Sequence, residues 1–509
     1  MAKKTRVSII PKTNRFGSAD LGIVVIVLAA TFLRVFRLDT LTEFLGDQGR
    51  TMLVLYDMVH RGVVPLSGPT TLSGQHLGPF FYYLILPGYL LSGGPVGVSL
   101  WVALLGVLAT YILYKAVSII YGRLPALLVS ALYAVAPAIV TQDRIIWEPN
   151  LVPLFAILFA WLLIQQHHRI SFRRVIAQGA VCGVLVQLHY PNVIFIALLA
   201  IVSFGHSLRL RRWRYVWQAM LGWLIGFLFV MLPFLVYEYT HQFSDISAIA
   251  GVFVHAGESM GKREMLMHAW DYSNRVIGKM LPGITAPVTL VLIAGWCVFL
   301  IGHFTSWNML WSVWFAVGIM AMARYNGVVY DHYLNFLLPV PFFMAGSVLS
   351  SLRATWLRTG AVAAVCLVIG VQLMHTDIFS PGSSDIRRVS ATSKQILAEI
   401  GASPFSFTLI DSRSFSDLHY RYYFRAMGGA PVPVTSASYQ RLYVICDTKS
   451  CPQAATLTQK TELPVVCYDE HCAEFYPTIP LARSWRFDHE EPIHSEGMTV
   501  GTLYMFRRR

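Results

Sequence analysis

The 509-residue chain is 55% hydrophobic and only 13% charged, with a mean hydropathy of +0.54. A soluble globule carries roughly 25% charged residues, so this composition excludes one and places the chain in lipid. The formal net charge of +13 does not imply nucleic acid as a partner, because the Lys and Arg residues fall in short clusters between apolar segments, which is a pattern of membrane topology.

Residues 1–19 form a basic N-terminus, with Lys3, Lys4, Arg6, Lys12 and Arg15 ahead of an apolar run from Leu21 to Phe36. Such a charge pattern marks a cytoplasmic end, and the run has no A-x-A site behind it, so it reads as an uncleaved first span. At about 20 apolar residues per span, helices are predicted at 20–37, 97–120, 124–141, 150–167, 173–189, 191–208, 214–237, 285–303, 306–323, 332–351 and 359–377. These eleven spans put Lys115/Arg123, Arg169/Arg173/Arg174, Arg209/Arg211/Arg212/Arg214 and Arg353/Arg358 on the cytoplasmic side, as the positive-inside rule requires. A multi-pass protein of the cytoplasmic (inner) membrane follows, with residues 20–377 as its transmembrane domain.

Phe80 to Leu91 is apolar and aromatic but too short to cross, ending at Gly93, Gly94 and Pro95. It is expected to lie at the interface, with Tyr82, Tyr83 and Tyr89 at headgroup level. The outer side then receives a first loop at 38–96, a second at 238–284 and a hydrophilic tail at 378–509. The tail is long enough to fold alone. Helical stretches at Ser390–Ile400 and Asp417–Met427 alternate there with β-rich runs at Phe405–Ile410, Arg441–Cys446, Leu463–Cys467 and Gly501–Phe506, which predicts a small extracytoplasmic α/β domain.

Cys182, Cys297 and Cys366 lie in spans, where they read as small core residues, while Cys446, Cys451, Cys467 and Cys472 form two C-x4-C pairs in the tail. Local disulfides, Cys446–Cys451 and Cys467–Cys472, are the preferred reading for an exported domain; a four-cysteine zinc site is the competing one.

Ionisable groups at a membrane surface are costly to hold near hydrocarbon, so they mark candidate cavities. The first loop opens with Asp39, Glu43, Gly46, Asp47, Gln48, Gly49 and Arg50, followed by an amphipathic helix to Arg61. Asp47 fits either a helix N-cap or a general base, flanked by Gly46 and Gly49 so that backbone and substrate approach closely. The turn after the third span carries Asp143, Arg144, Trp147, Glu148 and Asn150. Arg144 fits either an ion pair with Asp143 or Glu148, or a bidentate phosphate clamp. Arg275 and Lys279 in the second loop, with Arg324 and His332 before the tenth span, are further candidates for gripping a lipid phosphate. His189, beside Pro191 and Asn192, sits in a turn that could touch a sugar. No P-loop, GxGxxG, GxSxG, HExxH or DxD motif is present, which disfavours an ATP-driven pump, a hydrolase and a nucleotide-sugar enzyme.

Four of these features resemble the GT-C superfamily of membrane glycosyltransferases, near the dolichyl-phosphate-mannose protein mannosyltransferases and the lipid A aminoarabinose transferases. They are Gly46-Asp47-Gln48-Gly49-Arg50 after the first span, Gly78-Pro79-Phe80-Phe81-Tyr82-Tyr83 closing the first loop, Arg144 to Asn150, and Asp331-His332-Tyr333 leading to Pro339 and Pro341. The resemblance covers about residues 20–350. Three departures are plain: Gln75-His76-Leu77-Gly78 replaces the Lys that often precedes a double Pro, Asn150 stands where Asp is common, and His332 precedes Tyr333 in place of Arg.

The resemblance implies a GT-C fold and an inverting transfer from a polyprenyl-phosphate-linked sugar, drawn from among the membrane lipids, to a glycan, lipid or protein acceptor. Asp47 would be catalytic. Arg144, Arg275, Lys279, Arg324 and His332 would hold the donor phosphate, and Glu43, Arg50, His76, Tyr82, Glu148, Asn150 and His189 would face the acceptor or the sugar. No cofactor is required by that scheme, although Glu43 and Asp47 could supply ligands to a divalent metal. The rival readings are a transporter or lipid-linked glycan flippase, which would show internal repeats and midplane charges, and a lipid-linked glycan polymerase or ligase.

Overall fold

The computed structural model describes residues 18–71, 74–168, 171–198, 200, 213–255, 261–401, 403–434, 436, 438–448, 450–459, 462–464, 478–479, 481–495 and 498–509. Helix α1 (Ser18–Val35) is followed by a short turn and by the amphipathic α2 (Gly46–Arg61). A helix α3 (Phe80–Ser92) leads through Gly93 and Gly94 into α4 (Pro95–Tyr121), whose Pro95 fits a first helical turn, where no N–H is needed. Then come α5 (Arg123–Val135), α6 (Pro137–Gln142), α7 (Val152–His168) and α8 (Phe172–Leu188). The second half adds α9 (Trp213–Thr240), α10 (Ser244–His255), α11 (Lys262–Met280), α12 (Ala286–Gly302), α13 (Ser306–Ala323), α14 (Pro339–Ser351) and α15 (Thr355–Met374).

Among the described residues six helical stretches are long and apolar enough to cross a membrane: Pro95–Tyr121, Glu148–Gln166, Trp217–Thr240, Ser306–Ala323, Asp331–Ser351 and Thr355–Met374. Shorter apolar helices lie at Leu21–Val35, Phe80–Ser92, Arg123–Val135 and Ala286–Gly302. This is a multi-pass membrane protein, with fewer full-length apolar helices among the described residues than the eleven predicted spans. The predicted span 124–141 is interrupted, because Pro137 cannot donate its backbone hydrogen bond and the helix restarts there as α6. Helix α8 carries Gln178 and Gln187 buried against its neighbours and is less apolar than a lipid-facing span. Half of the predicted span 191–208 lies outside the described residues.

The interior is built on α4, against which α5 and α7 both pack; α1 packs on α4 and α5, and α14 touches all three. Helix α7 is buried on nearly all sides and shows no apolar stripe, as expected of a helix surrounded by protein. By contrast α15 and α9 turn large apolar side chains such as Leu367 and Phe229 outward, as lipid-facing helices do. Cys182 is buried, but Cys297 and Cys366 are exposed on this outer surface, so only the first of the three is a core residue.

After α15 the chain forms α16 (Asp385–Ile400), β1 (Phe405–Ile410), α17 (Leu418–Ala426) and β2 (Arg441–Cys446). A two-residue ladder pairs β3 (Leu463–Pro464) with β4 (Thr478–Ile479), and the long hairpin β5 (Trp485–Ser495) and β6 (Met498–Arg508) completes the chain. The sheet order is β1-β2-β6-β5. Strands β1 and β2 are parallel, with Phe405 opposite Arg441, and the crossover between them carries α17, as a parallel pair requires. Strand β6 pairs antiparallel with both β2 and β5. The sulfurs of Cys446 and Cys451 are bonded across the end of β2; Cys467 and Cys472 lie outside the described residues.

Candidate active site

The site begins at the first turn of α2. Leu45 is the N-cap, and its N–H donates to Gln48 Oε1 at 2.9 Å. Asp47 therefore stands inside the first turn rather than capping it. A carboxylate there is favoured by the helix dipole, and Asp47 keeps about half of its side chain open to solvent (53%) while Oδ1 accepts from Arg50 Nη2 at 3.0 Å. The flanking glycines do not open a path for substrate. A Cβ on Gly46 would stand 2.7 Å from Ser416 Cβ, and one on Gly49 would overlap the His419 backbone, so both glycines accommodate the C-terminal segment.

Behind Asp47 and Arg50 lies Glu148, a buried carboxyl at the start of the 3-10 turn Glu148–Leu151 and within electrostatic reach of both. The buried Tyr82 feels the same three charges, so the start of α3 forms a wall of the site. Glu43 lies nearby, and burial together with Asp385 and Asp47 raises its carboxyl above the usual range despite Arg413. Asn150 is buried, and its Nδ2 donates to Ile145 O at 3.4 Å, so its amide closes its own turn.

The far side of that turn meets the cations. Asn335 Nδ2 donates to Pro149 O at 3.0 Å, and Asn335 Oδ1 accepts from Lys279 Nζ, also at 3.0 Å. Lys279 Nζ donates further to Asp331 O at 3.0 Å, and burial pushes this ammonium down to about 8. One turn earlier on α11, Arg275 donates from Nε to Asp331 Oδ1 at 2.7 Å and from Nη2 to Val329 O at 2.9 Å. The His332 ring lies 4.3 Å from Trp147 and 5.4 Å from His189 between centroids. His189 packs on Tyr333 at 4.6 Å, and its buried Nδ1 has no hydrogen-bond partner. Next to it, Tyr190 donates to the carbonyl of His76, whose Nδ1 is 3.1 Å from Asp245 Oδ2. A continuous rim thus runs from Asp47 through Arg50 and Glu148 to Trp147, His332, Lys279, His189 and His76.

Arg144 is buried and pairs with Asp377 rather than with Glu148, with Nε donating to Val140 O at 3.2 Å, so its guanidinium braces α6 against the end of α15. Asp143 is not its partner either: that carboxylate accepts from Arg34 Nε at 2.8 Å. Arg324 ends α13 and is exposed. The pairing of Arg34 with Asp143 went unread in the sequence, although an Arg inside the last turn of an apolar helix was a signal for a buried partner. Among the described residues no group of three or more His, Cys, Asp or Glu side chains stands close enough together to hold a metal ion.

Neither a family model nor a curated protein matches the sequence. The helical bundle with its small C-terminal sheet defines the GT-C fold of polytopic membrane proteins. One solved protein it is similar to is ArnT from Cupriavidus metallidurans. The apo structure superposes with a TM-score of 0.58 at 15% identity, covering 88% of this chain and 96% of that one. The structure bound to undecaprenyl phosphate gives 0.59 at 14% identity, over 89% and 96%.

Proposed function

We propose that the chain is an inverting glycosyltransferase that moves a sugar from a polyprenyl-phosphate donor of the undecaprenyl type to a glycan, lipid or protein acceptor. It works at the outer face of the cytoplasmic membrane, with the N-terminus cytoplasmic and residues 378–509 extracytoplasmic. One observation carries this reading: an open carboxylate, Asp47, and a buried cation, Lys279, are linked along one polar rim through Arg50, Glu148 and the Pro149–Asn335 hydrogen bond. The fold adds support, since ArnT has been solved with undecaprenyl phosphate bound.

In the transfer, the acceptor hydroxyl oxygen attacks the anomeric carbon while the bond from that carbon to the phosphate oxygen breaks. The hydroxyl proton passes to Asp47, which is the task of a general base. The leaving polyprenyl phosphate gathers negative charge, and Lys279 and Arg275 stabilise it in a site of low dielectric. Arg50 orients Asp47 through its 3.0 Å hydrogen bond. Membranes carrying wild type or Asp47→Asn, supplied with radiolabelled polyprenyl-phosphate sugars, test this: transfer should fall by about a hundredfold or more. Undiminished transfer by Asp47→Asn would remove the proposed base.

A further inference from the structure

The turn that carries Asp47 is held by residues more than 330 positions away in sequence. The Gly46 N–H, one of the orphan donors of a helix start, donates to Ser414 Oγ at 2.9 Å. Ser414 Oγ in turn donates to Ser416 O at 2.6 Å and is buried. The Phe44 N–H donates to Asp385 Oδ2 at 3.4 Å, and the Phe44 ring packs edge-on to Tyr423 at 5.7 Å. At Gly49 the backbone of α2 meets the backbone of Leu418 and His419 with no room for a side chain between them. At the other end of α2, Asp57 Oδ1 pairs with Arg425 Nη2 at 2.8 Å.

Simple burial of an amphipathic helix would need apolar side chains against apolar side chains. Here Gly49 brings backbone onto backbone, Gly46 lets the Ser414 and Ser416 side chains close on the helix start, and an acceptor from the tail fixes the first turn. The direction in which Asp47 leaves the helix is therefore set by Ser414 and by the start of α17. We infer that the segment Ser412–Leu418 of the C-terminal module is a positioning element for Asp47, so that the catalytic centre is completed by the module and not by the membrane helices alone. This rests on Asp47 being the base.

Ser414→Ala removes the acceptor of the Gly46 N–H together with the hydroxyl's two hydrogen bonds to the Ser416 backbone. It should lower kcat about tenfold or more, because small misplacements of a reacting group are that costly, with KM for the polyprenyl-phosphate sugar changed less than about twofold. Ser414→Thr restores the hydroxyl and should recover most of the loss. Gly49→Ala should act in the same direction and more strongly. Three measurements run together: kcat, KM and the unfolding temperature in detergent. An inactive Asp47→Asn beside a Ser414→Ala with wild-type kcat overturns this inference and leaves the base standing. Equal losses in Ser414→Ala and Ser414→Thr, tracking a lowered unfolding temperature, assign Ser414 to stability alone and also overturn it. A fully active Asp47→Asn removes the base, and the inference with it.

Discussion

Arg34 Nε donates to Asp143 Oδ2 at 2.8 Å, with the arginine side chain wholly buried and the carboxylate nearly so. The same guanidinium donates from Nη1 to Ala134 O at 2.8 Å, which joins α1 to the end of α5 where the helix breaks. A side chain on Gly106 would overlap Asp143, so α4 is cut back to admit the pair. Taking two charges out of water is expensive, and losing one partner leaves the other uncompensated. Arg34→Met or Asp143→Asn should each destabilise the protein by about 3–5 kcal/mol. Arg34→Met combined with Asp143→Leu should recover much of that, because no lone charge remains. Thermal unfolding in detergent micelles reads both; equal instability of the single and double variants would contradict the pairing.

On the proposed reading, Lys279 makes phosphate binding sensitive to pH. Burial lowers its ammonium to about 8, so the cation is present below that value and is lost as pH rises through it. Affinity for undecaprenyl phosphate should therefore hold steady up to about pH 8 and then fall by up to about tenfold per unit. Lys279→Arg should flatten the profile. Titration of binding at several pH values would show it, and an identical fall in Lys279→Arg would exclude Lys279 as its origin.

Glu43 opposes the folded state at neutral pH. Its carboxyl is raised by burial, by Asp385 and by Asp47, so the folded chain holds that proton more tightly than the unfolded one. The corresponding stability is complete below the ordinary glutamate value and drains away as pH rises through the raised one. Glu43→Gln should thus unfold at the same or a higher temperature at neutral pH, with a shallower dependence on pH above about 4.5. A lower unfolding temperature across the whole range would show that the carboxylate makes a favourable contact.

The Cys446–Cys451 bond closes a short loop with a sequence separation of 5. Chain-entropy arguments for so short a loop give about 2 kcal/mol. Replacing both cysteines by Ala should lower the stability of the C-terminal module by about that amount. The measurement is unfolding followed by near-ultraviolet circular dichroism, and an unshifted transition would show that the bond constrains nothing that folding needs.

Much of the architecture was legible where periodicity is local. Strands β1 and β2 run over Phe405–Ile410 and Arg441–Cys446, the same residues as the β-rich runs in the sequence. Strand β5 was missed. It carries His489, Glu490, Glu491 and Pro492, and such residues resemble a loop unless the strand lies at an edge, where a missing N–H and exposed charge are tolerated. The site divides in the same way. Asp47 and Arg50 were each singled out from the sequence, and their ion pair, though not among the expectations, follows from a spacing of three positions on one helix. Arg144 with Asp377, and Gly46 with Ser414, were not, because contacts across more than two hundred positions leave no period in the sequence.

Strand β6 lies between β2 and β5, although both precede it in the chain. Removing Met498–Arg508 would empty a middle position of the sheet and part the edge strand β5 from β2. The tail's grip on the first turn of α2, through Ser414 and the backbone at Leu418 and His419, therefore leans on a sheet whose interior is supplied from some four hundred and fifty positions downstream.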